Sequence, residues 1–326
     1  MTEAAPRLEI RNLSVAVGTD EGEARILDRV SLKLMSGSIH GVVGESGCGK
    51  STLMRTILGI LPKRGRATEG NVLLDGRDLL TLPPSVFRTE VRGGQIGFIP
   101  QDPYQAFNPV FRVGTQLLET TRPKAGGNAL DAKADIIALL KAVQLPDPEH
   151  ALDRYPHQFS GGQRQRLLIA AALASSPAVV LADEPTTALD VTTQAQILKL
   201  LRGLAEARGL SMLFVTHDFG VVAQLCDTVT VMYAGQTVES GPVARVLAAP
   251  LHPYTKMLLA CHPDRSAALS GIPGAVSSPL RPPSGCRFHP RCPSARAECR
   301  EAIPRTSVHA GQQKVCCLLY EDEERV

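Results

Sequence analysis

Hydrophobic positions change rhythm several times along the chain. From Leu8 to Leu34 they alternate with polar ones, as in Leu13-Ser14-Val15-Ala16-Val17, and Val72-Leu73-Leu74 continues the theme. Such short alternations predict antiparallel strands. Ile39 to Gly44 is a compact apolar run that predicts a strand. A glycine-rich turn follows, then an apolar stretch, Ser51 to Leu61, that reads as a helix closed by Pro62. Residues of about 80–160 are polar and loop-rich, with a helical pattern over Ala132 to Val143 and a second over Gly161 to Ser175.

Val179-Val180-Leu181-Ala182-Asp183 is continuously apolar until its terminal acid, the pattern of a strand covered on both faces. Thr192 to Arg208 places Ile197, Leu201, Leu204 and Ala205 on one helical face, and Ser211 to Thr216 reads as another buried strand. Strands alternating with helices predict a wound parallel sheet, so the expected class is α/β with an antiparallel β portion. Beyond Gly241 prolines multiply and periodicity fades, which predicts an irregular appendage. The expected division is residues 1–240 as one domain, with a helical part over about 80–175, and 241–326 as an extension.

Composition narrows the functional classes. Apolar residues make up 44% and charged residues 21%, which suits a globular protein. A formal charge of +3 without any Lys/Arg-rich run gives no footprint for nucleic acid. No apolar run reaches the roughly 18 residues needed to span a bilayer, and Met1 to Leu13 has no signal-peptide core, so a soluble, cytosolic chain is expected. Five of the eight cysteines (Cys286, Cys292, Cys299, Cys316, Cys317) crowd the last 41 residues, which in a reducing compartment points to metal before disulfide.

Three motifs carry chemistry. Gly44-Glu45-Ser46-Gly47-Cys48-Gly49-Lys50-Ser51-Thr52 matches the phosphate-binding loop. Its glycines let backbone N–H groups curl around phosphate, Lys50 reaches the β/γ-phosphates, and the Ser51 hydroxyl suits Mg²⁺. Asp183-Glu184 closes a buried strand, where Asp183 suits Mg²⁺ and Glu184 can polarise an attacking water as general base. Ser160-Gly161-Gly162-Gln163 is a capping box whose glycines leave the next helix's first amides bare for an anion. A glycine-rich turn, a solvated acidic loop and an ordinary helix cap are the bland alternatives. The order and spacing of the three motifs argue against all of them.

Taken together, these runs resemble the ATP-binding cassettes of ABC transporters, with Phe159 to Gln163 as the family signature. The resemblance implies a P-loop NTPase cassette that binds ATP and Mg²⁺. It also implies roles for Gln101 (touching Mg²⁺ and the attacking water), Asp190 in the loop after Ala188-Leu189 (crossing a dimer interface) and His217 (contacting the γ-phosphate). One departure stands out. The family stacks adenine on an aromatic residue upstream of the phosphate loop, whereas here the first aromatic residue is Phe87 and the expected position is Val17.

The tail adds a finer resemblance. Val231-Met232-Tyr233, Pro250-Leu251-His252-Pro253-Tyr254, Ile272-Pro273-Gly274 and Gly285-Cys286-Arg287-Phe288-His289-Pro290-Arg291-Cys292-Pro293 look like the C-terminal extension of dipeptide, oligopeptide and nickel importer ATPases. The cysteine spacing by itself names no metal, and leaves an iron–sulfur cluster, zinc and plain thiols open. Similar tails imply a [4Fe-4S] cluster on Cys286, Cys292, Cys299 and Cys317, the last preferred to Cys316 because such tails place their final cysteine after Val-x. Because the ATPase motifs are complete without it, the tail is expected to be structural or to dock a membrane subunit.

The resemblance further implies a peripheral protein on the cytoplasmic face of the membrane. Expected partners are a second ATPase (a heterodimer), two transmembrane permease subunits and an extracytoplasmic substrate-binding protein. Import of peptides is the leading reading, with nickel or another solute as the alternative. A translation or repair ATPase is a rival class, but the chain has one cassette and no room for a coiled coil between Gln101 and Ser160. A GTPase is another, but no Asn-Lys-x-Asp run is present to read guanine.

Overall fold

The computed structural model describes residues 5–121, 129–261, 271–309 and 312–321. In chain order the N-terminal elements are β1 (Pro6–Thr19), β2 (Gly22–Met35), β3 (Ile39–Val43), α1 (Lys50–Ile57), β4 (Gly65–Leu74) and β5 (Arg77–Asp78). A middle group follows: α2 (Pro84–Val86), β6 (Ile96–Ile99), α3 (Val113–Thr120), α4 (Ala129–Ala142), α5 (Pro148–Ala151), α6 (Gly161–Leu173), β7 (Val179–Asp183), α7 (Val191–Arg208) and β8 (Ser211–Thr216). The last are α8 (Phe219–Leu225), β9 (Thr228–Tyr233), β10 (Gln236–Pro242), α9 (Val243–Ala248), α10 (Pro253–Ala260), β11 (Thr306–His309) and β12 (Gln313–Cys316).

The chain divides into two compact units. The first comprises Met1–Arg7, Met35–Ser38 and Leu82–Phe214; the second comprises Leu8–Leu34, Ile39–Thr81 and Val215–Val326. In the first unit β6 and β7 pair in parallel, Ile96 opposite Val179 and Ile99 opposite Ala182. Every residue of β7 before Asp183 is buried, as its unbroken apolar run requires. Helices α3, α4 and α6 pack with one another through Val113, Leu117, Ile136, Leu140 and Leu167. Strand β6 went unread in the sequence because four residues in a polar region carry no period.

The second unit holds two sheets. In one, strands run β2-β1-β4-β5, antiparallel where β1 meets β4, and bury Leu8, Ile10, Leu13 and Val15. In the other, β3 lies parallel to β9, with Val43 opposite Val231, and β10, β12 and β11 continue antiparallel. Two expectations need correcting. The helix after the glycine-rich loop ends at Ile57, ahead of Pro62, because Gly59 takes the left-handed conformation (φ 61°) and its N–H closes onto Thr56 O. Among the described residues the tail, read as irregular, carries helices α9 and α10 and strands β11 and β12. β12 pairs with β10 and buries Val315 together with the polar Gln313, which donates to buried Glu239 at 2.6 Å.

Candidate nucleotide site and cysteine pocket

In the second unit β3 delivers the chain into the phosphate loop. All five residues of β3 are buried, so its end is held in place. Gly44 is required by packing: a Cβ there would lie 2.2 Å from Met232 O on β9. Gly47 (φ 79°) and Gly49 (φ 105°) supply the positive-φ turns that let the loop wrap back before α1 begins at Lys50. Lys50 is buried, and its Nζ donates to Gly44 O at 2.7 Å and Glu45 O at 3.1 Å. Ser46, Gly47 and Ser51 are exposed and Thr52 is half-buried. Burial raises the Cys48 thiol above its usual pKa, in keeping with a packing role. His217, in the same unit, is exposed directly after β8 and precedes Asp218, which caps α8 by accepting from Gly220 N. Val17 lies half-buried on β1 opposite Gly65.

The first unit gathers the other motifs. Asp183 ends β7, and Glu184 follows in the left-handed region at φ 44°, a conformation that is strained for a residue with a Cβ. Its Oε2 accepts from Gln101 Nε2 at 3.4 Å and from Thr187 Oγ1 at 3.2 Å. Two of the expected residues, Gln101 and Glu184, therefore meet, with Thr187 as a third partner of the carboxylate. The signature forms the capping box its sequence predicts: Gln163 N donates to Ser160 Oγ at 3.3 Å, and Ser160 N donates to Gln163 Oε1 at 3.0 Å. A Cβ on Gly162 would lie 2.8 Å from Thr193 Cγ2. The N–H and hydroxyl of that same Thr193 are bonded by Asp190, at 2.9 and 2.7 Å, which caps α7. These bonds hold the Asp190 carboxyl below its usual pKa. Arg164 stacks 3.8 Å over the Tyr104 ring, tying the loop after Gln101 to the signature helix.

The cysteine tail also converges. Cys286, Cys292, Cys299 and Cys317 line one small, mostly apolar cavity with His252 and Phe288; Cys316 does not line it, but lines a larger mixed cavity that Cys286 also borders. Burial raises the pKa of Cys286, Cys292 and Cys317, the last to about 11, with the neighbouring thiols adding to it. Backbone hydrogen bonding from Phe288, Ser294 and Leu319 respectively works the other way, and Arg296 N lies 3.4 Å from Cys299 Sγ. Among the described residues, no group of three or more His, Cys, Asp or Glu side chains is spaced to hold a metal ion.

Sequence reading gave no role to two residues that the structure places on the phosphate loop. Tyr254 Oη accepts from Glu45 N at 2.9 Å, and Arg291 forks onto the Glu45 carboxylate at 2.8 and 3.1 Å. Both stand in the quoted tail motifs. The charged Arg291 inside a proline- and cysteine-rich run was the available signal. The tail, expected to be structural or to dock a membrane subunit, thus bonds the phosphate loop directly.

A buried strand running into a glycine-turned loop capped by a buried lysine, with a carboxylate pair closing a second strand and a capped Ser-Gly-Gly-Gln helix, defines the ATP-binding cassette class. The comparisons agree. Residues 27–187 match the family model described as ABC transporter, and 238–299 match the oligopeptide/dipeptide transporter C-terminal region. A Brucella abortus protein named as a peptide import ATP-binding protein is 43% identical over 99% of this chain and 98% of its own length. The dipeptide transport ATP-binding protein DppD of Haemophilus influenzae is 40% identical (95% and 94%), and the oligopeptide transport ATP-binding protein OppD of Salmonella typhimurium is 41% identical (95% and 92%). The dimeric ABC transporter cassette MJ0796 superposes with a TM-score of 0.63 at 28% identity, over 72% of this chain and 98% of that one; the same cassette is also known in a post-hydrolysis state with ADP and Pi. This chain belongs to the ABC transporter ATP-binding proteins, in the oligopeptide/dipeptide transporter family. No described helix is long and apolar enough to cross a membrane.

Proposed function

We propose that the chain hydrolyses ATP to power import of di- or oligopeptides through partner membrane subunits. The observation that carries this is the pairing, in one chain, of the cassette match at 27–187 with the oligopeptide/dipeptide transporter region at 238–299. The amides of Gly44 to Thr52 and the Lys50 ammonium bind the phosphates, replacing the loop carbonyls that Lys50 engages here. Ser51, Asp183 and Gln101 would hold Mg²⁺, which would neutralise charge on the β/γ-phosphates. Glu184 takes the proton of the attacking water, with Gln101 and Thr187 fixing its carboxylate, and His217 meets the γ-phosphate. Ser160, Gly161, Gly162 and Gln163 present their helix N-terminus, and Asp190 its loop, to the partner cassette.

The assembly is two ATPases, as a heterodimer, two transmembrane permease subunits and an extracytoplasmic binding protein, with this chain on the cytoplasmic face. Cys286, Cys292, Cys299 and Cys317 would hold a [4Fe-4S] cluster. Four soft sulfur donors lining one small cavity suit a cluster or zinc, and the likeness of the tail to cluster-bearing tails favours the cluster. The cluster would clamp a segment with little apolar surface of its own.

Reconstitution of the chain with its permeases and binding protein in proteoliposomes tests the reading. ATP-dependent accumulation of a labelled tripeptide is the expected result. ATP turnover stimulated by a non-peptide cargo, with no peptide uptake, would overturn it.

A further inference from the structure

Glu45 in the phosphate loop is held at three points, two of them by the C-terminal extension. Its carbonyl accepts from Lys50, its N–H donates to the Tyr254 hydroxyl, and its carboxylate accepts the Arg291 fork. Arg291 is itself fully engaged. Nε donates to Pro273 O at 2.9 Å, Nη2 to Ile272 O at 2.9 Å, and the guanidinium lies 5.7 Å from the centre of the Tyr233 ring. Its side chain is only 4% exposed and that of Glu45 25%, so the guanidinium is shielded from solvent and the two-pronged charge pair is directional. Tyr233, Tyr254 and Phe288 pack edge to face beneath it.

The other end of this short segment is anchored too. Arg287 donates to Ala234 O and pairs with buried Asp28 at 2.9 Å, and the neighbouring Gly235 N donates to Cys48 O in the phosphate loop at 2.9 Å. The stretch from Cys286 to Cys292 thus bears an arginine beside each of its two cysteines, and both arginines brace the loop.

We propose that Arg291 is a positioning residue for ATP: by fixing Glu45 it holds the phosphate loop in the curve that receives the phosphates, so the extension sets nucleotide affinity. This rests on the ATP reading above. Without the fork, the loop samples conformations that bind phosphate poorly, and the fraction competent to bind enters directly into the apparent dissociation constant.

The test uses the full chain and a fluorescent ATP analogue, then ATP kinetics in the assembled transporter. Arg291→Met and Glu45→Gln should each weaken analogue binding about tenfold, and the double variant no more than either alone, because the two act as one unit. Arg291→Lys, with charge but no fork, should fall between wild type and Arg291→Met. In the transporter the KM for ATP should rise by about the same tenfold factor while kcat changes less than about twofold, the mark of lost binding without lost chemistry. If Arg291→Met does not fold, Arg291→Lys and Glu45→Gln decide. Unchanged affinity in those variants, or a fall in kcat at constant KM, would overturn the inference while leaving ATP binding intact. A wild-type chain that does not bind the analogue would instead sink the ATP reading.

Discussion

Acid should destabilise this protein through its buried histidines, His40 and His252, and His40 shows how. His40 lies on β3, its Nδ1 2.8 Å from Thr228 Oγ1 and its Nε2 2.9 Å from Thr230 Oγ1. The ring is buried, and burial pulls its pKa from 6.5 to about 4. The sign follows directly. Between pH 6.5 and 4 the unfolded chain binds a proton that the native chain refuses, so the stabilisation from neutral His40 is complete above pH 6.5 and is lost as pH falls towards 4. A depression of two to three pH units, at about 1.36 kcal/mol each, amounts to about 3 kcal/mol, a large share of the roughly 5–15 kcal/mol available to a folded domain. Urea unfolding of wild type and His40→Gln at intervals from pH 7.5 to 4 isolates this contribution, since the other titrating groups are common to both. The variant should start less stable, because it gives up a fitted ring. The gap between the two should then shrink by about 3 kcal/mol by pH 4. Parallel curves would refute the argument.

Three further outcomes follow from the site. Gly44→Ala should cost about 1–3 kcal/mol or more, because its Cβ meets a strand carbonyl that cannot retreat without breaking the β3–β9 pairing; a melting temperature equal to wild type would contradict this. Val17→Tyr should lower the KM for ATP and sharpen its preference over GTP, since a stacked ring is worth about 1–3 kcal/mol at nucleic-acid sites; no change in either parameter would show that adenine lies elsewhere. Protein purified without oxygen should be brown with about four irons per chain, and Cys292→Ser should lose the colour, whereas Cys316→Ser should keep it because Cys316 lines the other cavity; colourless, iron-free wild type would end the cluster proposal.

What could be read from the sequence depended on whether a residue's reason for being there was local. Strands β7 and β8 were legible to the residue because a strand buried on both faces must be apolar throughout. The phosphate loop and the signature cap were legible because phosphate and a helix N-terminus each demand a fixed order of residue types. β11 and β12 were hidden because each is four residues long and, of their buried positions, Ser307 and Gln313 are polar and only Val315 is apolar; Gln313 is satisfied by Glu239 from a strand far away in sequence. The Arg291–Glu45 fork joins residues 246 positions apart, and no periodicity reports such a pair. The strain at Glu184 was equally invisible, because its positive φ comes from the fold around it.

The claim that Glu184 is the base driving this transporter is tested most directly by Glu184→Gln in the assembled complex. The amide keeps an oxygen to accept from Gln101 and Thr187, so the loop geometry and ATP binding should survive. Turnover should fall by about 10²–10⁴, the usual worth of a positioned base, with ATP retained on the protein and peptide uptake abolished. Hydrolysis and uptake near the wild-type rate would contradict the account.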